Sequence, residues 1–418
     1  MLVTPRFGTV GPVRILVAAL GTPGHALPVV PLARALHDAG HDVTFATGPD
    51  LEATISTSGV PTTAAGRPAR DAFREVMIGH GLTERPTDRE VMRDVANEVF
   101  GAVMPRSVAG DLIPRLREQP PDVVIAEIGD PGAALAARAA DVPCVLHSFG
   151  RRPSPSSPMS MSMPAHLAAV ADELGVPLAE GDPTGHAYLD ICPPALQEPG
   201  STTYLEGMTE IPLRPVGWNP PTPFEPRRLT GRPWVLLTLG TSFGDADVLR
   251  TALTGLRELE VDVLVATGSV DPGELADLEG PGVQVESFVP QADLLRGEVD
   301  GVAAPPALVV HHGGSGTTLG CAGAGVPQVL LPQGADQFFN ARAVTTAGAG
   351  VRLVGDEVTG EAVTAAVAAL LARATEHADR GSELASARSL AGEIAALPAP
   401  EEVAARVGRW AFPGQPAM

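Results

Sequence analysis

The stretch Val309–Ala341 reads VVHHGGSGTTLGCAGAGVPQVLLPQGADQFFNA. It opens in a short apolar run, Ala307–Val310, with the composition of a buried parallel strand. Two histidines follow, then a turn rich in Gly, Ser and Thr. A small-residue helix, roughly Thr317–Ala324, is closed by Gly325. A second apolar strand, Val329–Leu331, ends at Pro332. Beyond it come a polar loop with Asp336 and Gln337 and another helix carrying Asn340. A Gly-rich turn that opens a helix offers unpaired backbone N–H groups and the positive end of the helix dipole, which suits an anion such as phosphate. An imidazole just before the turn can donate to the same anion. A carboxylate and an amide one βα unit later suit several hydroxyls. Diphosphate plus a polyol points to a nucleotide sugar.

Outward from this stretch, the same grammar repeats. Val13–Leu20, His41–Ala46, Asp122–Ala126 and Pro143–His147 read as strands, with helices at Leu27–Ala39 and Ala133–Ala140 between them. Gly40 caps the first helix. After the proline-dense segment Ile211–Pro233, strands at Trp234–Leu239, Asp262–Ala266 and Val283–Ser287 alternate with helices at Ala246–Leu259 and Ala292–Arg296. Helices at Gly360–Arg373 and Arg380–Leu397 follow. Alternation of this kind predicts two doubly wound parallel sheets. The division is an N-terminal domain over 12–215, a linker over 216–233, a second domain over 234–396, and a tail over 397–418 that returns to the first. Two stretches break the pattern. Residues Ala64–Gly110 are irregular, with helical patches at Arg70–Ile78 and Asp88–Val103. Arg151–Pro164 (RRPSPSSPMSMSMP) reads as a long Pro/Ser/Met loop, a candidate lid over an apolar ligand.

Composition narrows the function. The 418 residues suffice for two cores, with 44% hydrophobic content. No lysine is present, so all 29 basic residues are arginine. A net charge of −20 argues against nucleic acid or an anionic membrane as partner. Three scattered cysteines give neither a disulfide framework nor a metal spacing. The run Val13–Leu20 is too short to cross a bilayer, and no basic n-region with a cleavage site precedes it, so a cytoplasmic protein is expected.

Neither Gly-rich turn fits the dinucleotide pattern, because Leu319 stands where its third glycine would, and without lysine there is no P-loop. His25, in the turn Gly21–His25 at a helix start, is a candidate general base, kept neutral by the positive end of the dipole. Glu127 and Asp130 stand at the C-terminal end of a strand, on the expected ligand side, and either can orient such a base. Asp245–Asp247 forms a D-x-D, read as a helix cap rather than a metal site. His311–His312 has no further ligands at metal spacing.

The blocks HHGGSGTT, GAGVPQVLLP and DQFFNA, with Leu237–Ser242 (LTLGTS), Phe288–Gln291 (FVPQ) and VRILVAALGTPGH near the N-terminus, resemble the GT-B glycosyltransferases of the family-one type. The branch most similar decorates bacterial natural products with deoxysugars, as the calicheamicin and macrolide glycosyltransferases do. The resemblance covers nearly the whole chain and is weaker over Ala64–Gly110 and Arg151–Gly200. It implies a nucleotide-sugar donor on the second domain and an apolar acceptor on the first. His312, Gly314, Ser315, Gly316, Thr317, Thr241 and Ser242 match residues around the diphosphate. Asp336 and Gln337 match the pair on the sugar hydroxyls, and Phe288 and Val289 the segment along the base. His25 matches the catalytic base and Glu127 its partner carboxylate, where many relatives have Asp; Asp130 is the alternative. The resemblance further implies an inverting, metal-independent transfer with no cofactor, from a dTDP-sugar, although nothing in the residues excludes UDP. Two other readings remain on the sequence alone, a nucleotide-sugar epimerase and a non-catalytic activator of another glycosyltransferase.

Overall fold

The computed structural model describes residues 11–412 apart from 85, 87, 154–157, 179–183, 202–204, 242–243, 303 and 377–381. The first sheet contains β1 (Arg14–Ala18), β2 (Asp42–Thr47), β3 (Thr62–Ala64), β4 (Val123–Glu127), β5 (Cys144–His147), β6 (Ala187–Asp190) and β7 (Thr209–Pro212), in the order β3-β2-β1-β4-β5-β6-β7. The second contains β8 (Trp234–Thr238), β9 (Asp262–Ala266), β10 (Val283–Glu286), β11 (Leu308–His311), β12 (Gln328–Leu330) and β13 (Gly350–Arg352), in the order β10-β9-β8-β11-β12-β13. Every pair in both sheets is parallel. The central strands are buried on both faces, which is why VVIAE and WVLLT carry almost no polar side chains. This is the GT-B arrangement. In each sheet the loops at the C-terminal ends of the two central strands, β1 and β4 in one and β8 and β11 in the other, carry the site.

Two stretches differ from the sequence reading. The Met/Pro segment is not a loop throughout: the helix expected at His166–Leu174 begins earlier, and Pro158–Glu173 is helical. Its prolines hid it, although Pro158 opens the helix, where no N–H is needed, and only Pro164 interrupts the ladder. Residues 154–157, in the same expected lid, lie outside the described residues, as do 1–10 of the leader. In the irregular region the two expected helical patches are present as Ala69–Gly79 and Arg89–Glu98 with a π-helical turn at Val99–Val103, and a third helix, Met104–Glu118, follows. Pro105 and Pro114 disguised the third of these. The proline-dense segment begins inside β7, an edge strand, where a proline is tolerated.

The two sheets share one apolar cluster. Ile15, Val29, Leu196 and Leu213 from the first half join Leu319, Val344, Leu390 and Ile394 from the second. Arg214 caps the end of the helix Glu383–Ala395, donating from Nε to the Leu397 carbonyl at 3.0 Å and from Nη2 to the Ala395 carbonyl at 2.7 Å. The chain then crosses back. Pro400–Ala404 packs on the helix Val30–Asp38, and His186 Nε2 donates to the Trp410 carbonyl at 3.1 Å. Trp410 is buried in the shared cluster, its indole N–H on the Val403 carbonyl at 2.9 Å. Replacing Trp410 with Ala should therefore cost about 3–5 kcal/mol and lower the urea midpoint of both halves together. Separate transitions for the two halves would show that the tail does not join them.

Candidate active site

On the first domain, β1 ends in a turn that becomes the single helical turn Pro23–Ala26, and His25 is its third residue. Its Nδ1 lies 3.0 Å from Glu127 Oε2, at the end of β4. Glu127 has no exposed surface, and its other oxygen accepts the Gly129 N–H at 2.6 Å. The carboxylate is thus held from both sides. Gly129 must lack a side chain, since a Cβ there would stand 2.5 Å from His25 Cε1 and 3.0 Å from Glu127 Oε1. Burial alone would lower the His25 pKa, but the Glu127 charge and hydrogen bond, helped by Asp336 and Asp130, outweigh it and raise the pKa above 6.5. The dipole effect expected for this histidine is therefore overridden by the carboxylate beside it. Phe149, beyond the end of β5, packs on the imidazole with ring centroids 4.4 Å apart.

Asp130 does not share this arrangement. Its carboxyl is buried, its Oδ1 has no hydrogen-bond partner among the described residues, and burial followed by the Glu127 charge pushes its pKa up to about 7. It caps no base. Glu127 is the carboxylate on His25.

On the second domain, the turn after β11 is built around two neutral histidines. His311 accepts the Gly313 N–H on Nδ1 at 3.1 Å and donates from Nε2 to Gln328 Oε1 at 2.9 Å. Both nitrogens are used, and burial drives its pKa down to about 3. This locks the turn, where Gly313 takes φ of 91°, a conformation that favours glycine. His312 is pushed down to about 4 by burial, against the Asp336 charge and a hydrogen bond to the Thr238 backbone, so it is neutral near pH 7 and keeps one N–H. Its ring lies between the two Gly-rich turns. A Cβ on Gly240 would come within 2.6 Å of Cε1, and one on Gly314 would collide with Nε2. Gly314 is the N-cap of the helix Ser315–Ala324, which places the N–H groups of Ser315, Gly316 and Thr317 at the cleft end. Thr317 Oγ1 is tied to Gln291 Nε2 at 3.2 Å. Thr241 is exposed in the turn after β8, and Ser242 lies outside the described residues. Asp245 accepts the N–H groups of Asp247 and Val248, so the D-x-D is a helix cap.

The sugar-side pair differs from two freely offered side chains. Asp336 Oδ2 already accepts Ser315 Oγ at 2.7 Å and Asn340 Nδ2 at 3.0 Å. Asn340 also donates to the Gly313 carbonyl at 2.8 Å. Gln337 is buried, with Oε1 taken by the N–H groups of Gln333 and Gly334. What remains to offer is Asp336 Oδ1 and the Gln337 amide N–H. Asn340, Gln291 and Phe149 are thus part of the site although the motifs did not mark them as such. The helical spacing of Asp336 and Asn340 was the available signal. Of the base-side pair, Phe288 is exposed whereas Val289 is turned into the core with Trp234 and Leu294.

Gly150, next to the Phe149 that packs on His25, lies against Ser315, which holds Asp336, so the two halves of this constellation face each other. Residues 34–240 match the N-terminal and residues 250–409 the C-terminal domain of the family described as erythromycin biosynthesis protein CIII-like. Elloramycin glycosyltransferase ElmGT of Streptomyces olivaceus is 32% identical over 94% of this chain and 96% of its own. The chain belongs to that family of glycosyltransferases. Among solved structures, SsfS6 of Streptomyces sp. SF2575, complexed with thymidine diphosphate, superposes with a TM-score of 0.72 at 27% identity, over 95% of this chain and 99% of that one. The spinosyn rhamnosyltransferase SpnG with spinosyn aglycone gives 0.72 at 28% identity, over 94% and 99%. This glycosyltransferase is therefore of the antibiotic-biosynthesis type. No described helix is long and apolar enough to cross a membrane.

The buried Asp130 gives a test by pH. An aspartate whose pKa is raised on folding, here from 3.8 to about 7, binds its proton more tightly folded than unfolded. Its contribution to stability is present below pH 3.8 and is lost as pH rises through 7. Asp130→Asn should flatten that loss, so the variant gains thermal stability on the wild type between pH 4 and pH 8 while still forming product. An unchanged pH slope, or loss of product, would reverse the assignment.

Proposed function

We propose that this glycosyltransferase moves a sugar from a dTDP-sugar to a hydroxyl of an apolar natural product, with inversion and without a metal. The observation that carries the reading is the His25–Glu127 contact of 3.0 Å facing Asp336 across the cleft. With Nδ1–H donated to Glu127, His25 has its Nε2 lone pair free to take the acceptor proton. Glu127 stabilises the imidazolium that forms. As the oxygen attacks the anomeric carbon, the bond to the diphosphate breaks. The departing charge is met by His312 and by the N–H groups of Ser315, Gly316 and Thr317 at the helix start, with Thr241 on the turn after β8. Asp336 and Gln337 hold the sugar, and Phe288 lies along the base. One displacement inverts the centre, and no covalent sugar intermediate is needed.

Thymidine diphosphate in SsfS6 supports the donor, and the aglycone in SpnG supports an apolar acceptor. So does a small cluster beside the His25 turn, in which Phe73, Met77, Met92 and Phe100 pack around Leu20 and Met104. Aromatic and thioether side chains of this kind adapt to a flat hydrophobic ligand.

Incubation with dTDP-sugars and candidate aglycones should give a mass-shifted glycoside of inverted configuration. His25→Ala should lower turnover by about 10²–10⁴-fold while dTDP still raises its thermal midpoint. Since His25 must be neutral to act, activity should rise with pH through a value above 6.5. Glu127→Gln removes the charge that raises that value, so its acidic limb should move to lower pH as kcat falls. Normal turnover by His25→Ala would end this assignment.

A further inference from the structure

The loop Ser148–Arg152, beyond the end of β5, touches both halves of the site and has no part in the mechanism above. Ser148 Oγ accepts the Ile191 N–H at 2.9 Å. Phe149 packs on the His25 ring. Gly150 lies against the second domain, so close that a Cβ there would stand 2.6 Å from Ser315 Cβ and overlap Ser315 Oγ. Arg151 donates from Nε to the Leu196 carbonyl at 2.6 Å, and the pair lines a cavity of about 10 Å³, the size of one water, with Ser315, Thr318 and Asn340. Arg152 is anchored on the first domain by Asp190 at 2.8 Å, by Glu210, and by its own N–H on Gln197 Oε1 at 3.1 Å.

The loop is therefore fixed at Ser148 and Arg152, while its middle residues reach a catalytic ring on one side and the N-terminus of the phosphate-turn helix on the other. Ser315 itself holds Asp336. A shift of the second domain against Gly150 is thus a shift of phosphate turn and sugar carboxylate together, relative to the base. We propose that Gly150 is a positioning residue whose bare backbone sets how closely the donor turn approaches His25, with Phe149 holding the imidazole at the other end of the same loop. The role rests on the assignment of His25 as base and of the Gly314–Thr317 turn as the diphosphate seat. It acts through alignment, since the reacting atoms tolerate little displacement.

The test is a double-mutant cycle with Gly150→Ala, Ser315→Gly and the pair, using a dTDP-sugar and aglycone that the wild type turns over. Gly150→Ala should lose about 100-fold in kcat/KM for the donor, with the acceptor KM unchanged and the ligand-free thermal midpoint near that of the wild type. Ser315→Gly removes the atoms the new methyl would strike, so the double variant should recover roughly tenfold over Gly150→Ala. Phe149→Leu leaves the Gly150–Ser315 contact intact and should lower kcat about tenfold with the donor KM held. Effects of Gly150→Ala and Ser315→Gly that simply multiply, or wild-type kinetics in Gly150→Ala and Phe149→Leu, overturn the proposal. Failure of dTDP to stabilise the wild type removes the donor-site assignment and the proposal together. Equal stabilisation and equal turnover in wild type and Gly150→Ala remove the positioning role alone.

Discussion

A carboxylate with no exposed surface must find donors or give up its charge, and Glu127 finds two within its own neighbourhood. One is the His25 imidazole and the other is the Gly129 N–H, two residues along the chain. The second shows how a glutamate, longer than aspartate by one methylene, fits in this place. The extra methylene is taken up by folding the carboxyl back on its own loop, and Gly129 clears the space. Asp130, one residue further, has no such donor on its Oδ1, and burial followed by the Glu127 charge pushes its pKa up to about 7.

The donor side solves the opposite problem. A diphosphate needs positive potential, yet the chain has no lysine and both histidines of the turn are neutral. What it has is aligned backbone: a helix starting at Ser315, a locked turn at Gly313 and one imidazole N–H between Gly240 and Gly314. Fixed dipoles of this kind need no reorganisation when charge appears on the leaving group. The small residues are therefore functional through their smallness.

Much of this was legible in the sequence where local chemistry decides structure. The two sheets followed from apolar runs alternating with helical periodicity, and the turn at Gly314 from glycine spacing ahead of a helix. Legibility failed where local and tertiary signals conflict. Pro158 and Pro164 suggested a loop over a segment that packing keeps helical, and Pro105 and Pro114 did the same for Met104–Glu118. In the site, motifs named the residues but not their occupancy. Nothing in the residues before and after Gln337 reveals that its carbonyl is spent on Gln333 and Gly334, nor that Val289 faces inward. Phe149 and Gly150 belong to no motif, because their importance arises only when β5 of one sheet meets a helix of the other.

The apolar cluster that runs from Ile15 to Ile394 has a further consequence. Topology divides the chain into two sheets, but stability does not follow that division. Separating the halves would bare Leu196, Leu319 and Leu390 to water, although each half also has apolar clusters of its own. Hinge opening of the cleft on the scale of independent domains is correspondingly disfavoured. Its width is a property of side-chain volume, set in the same way as the spacing inside a single core.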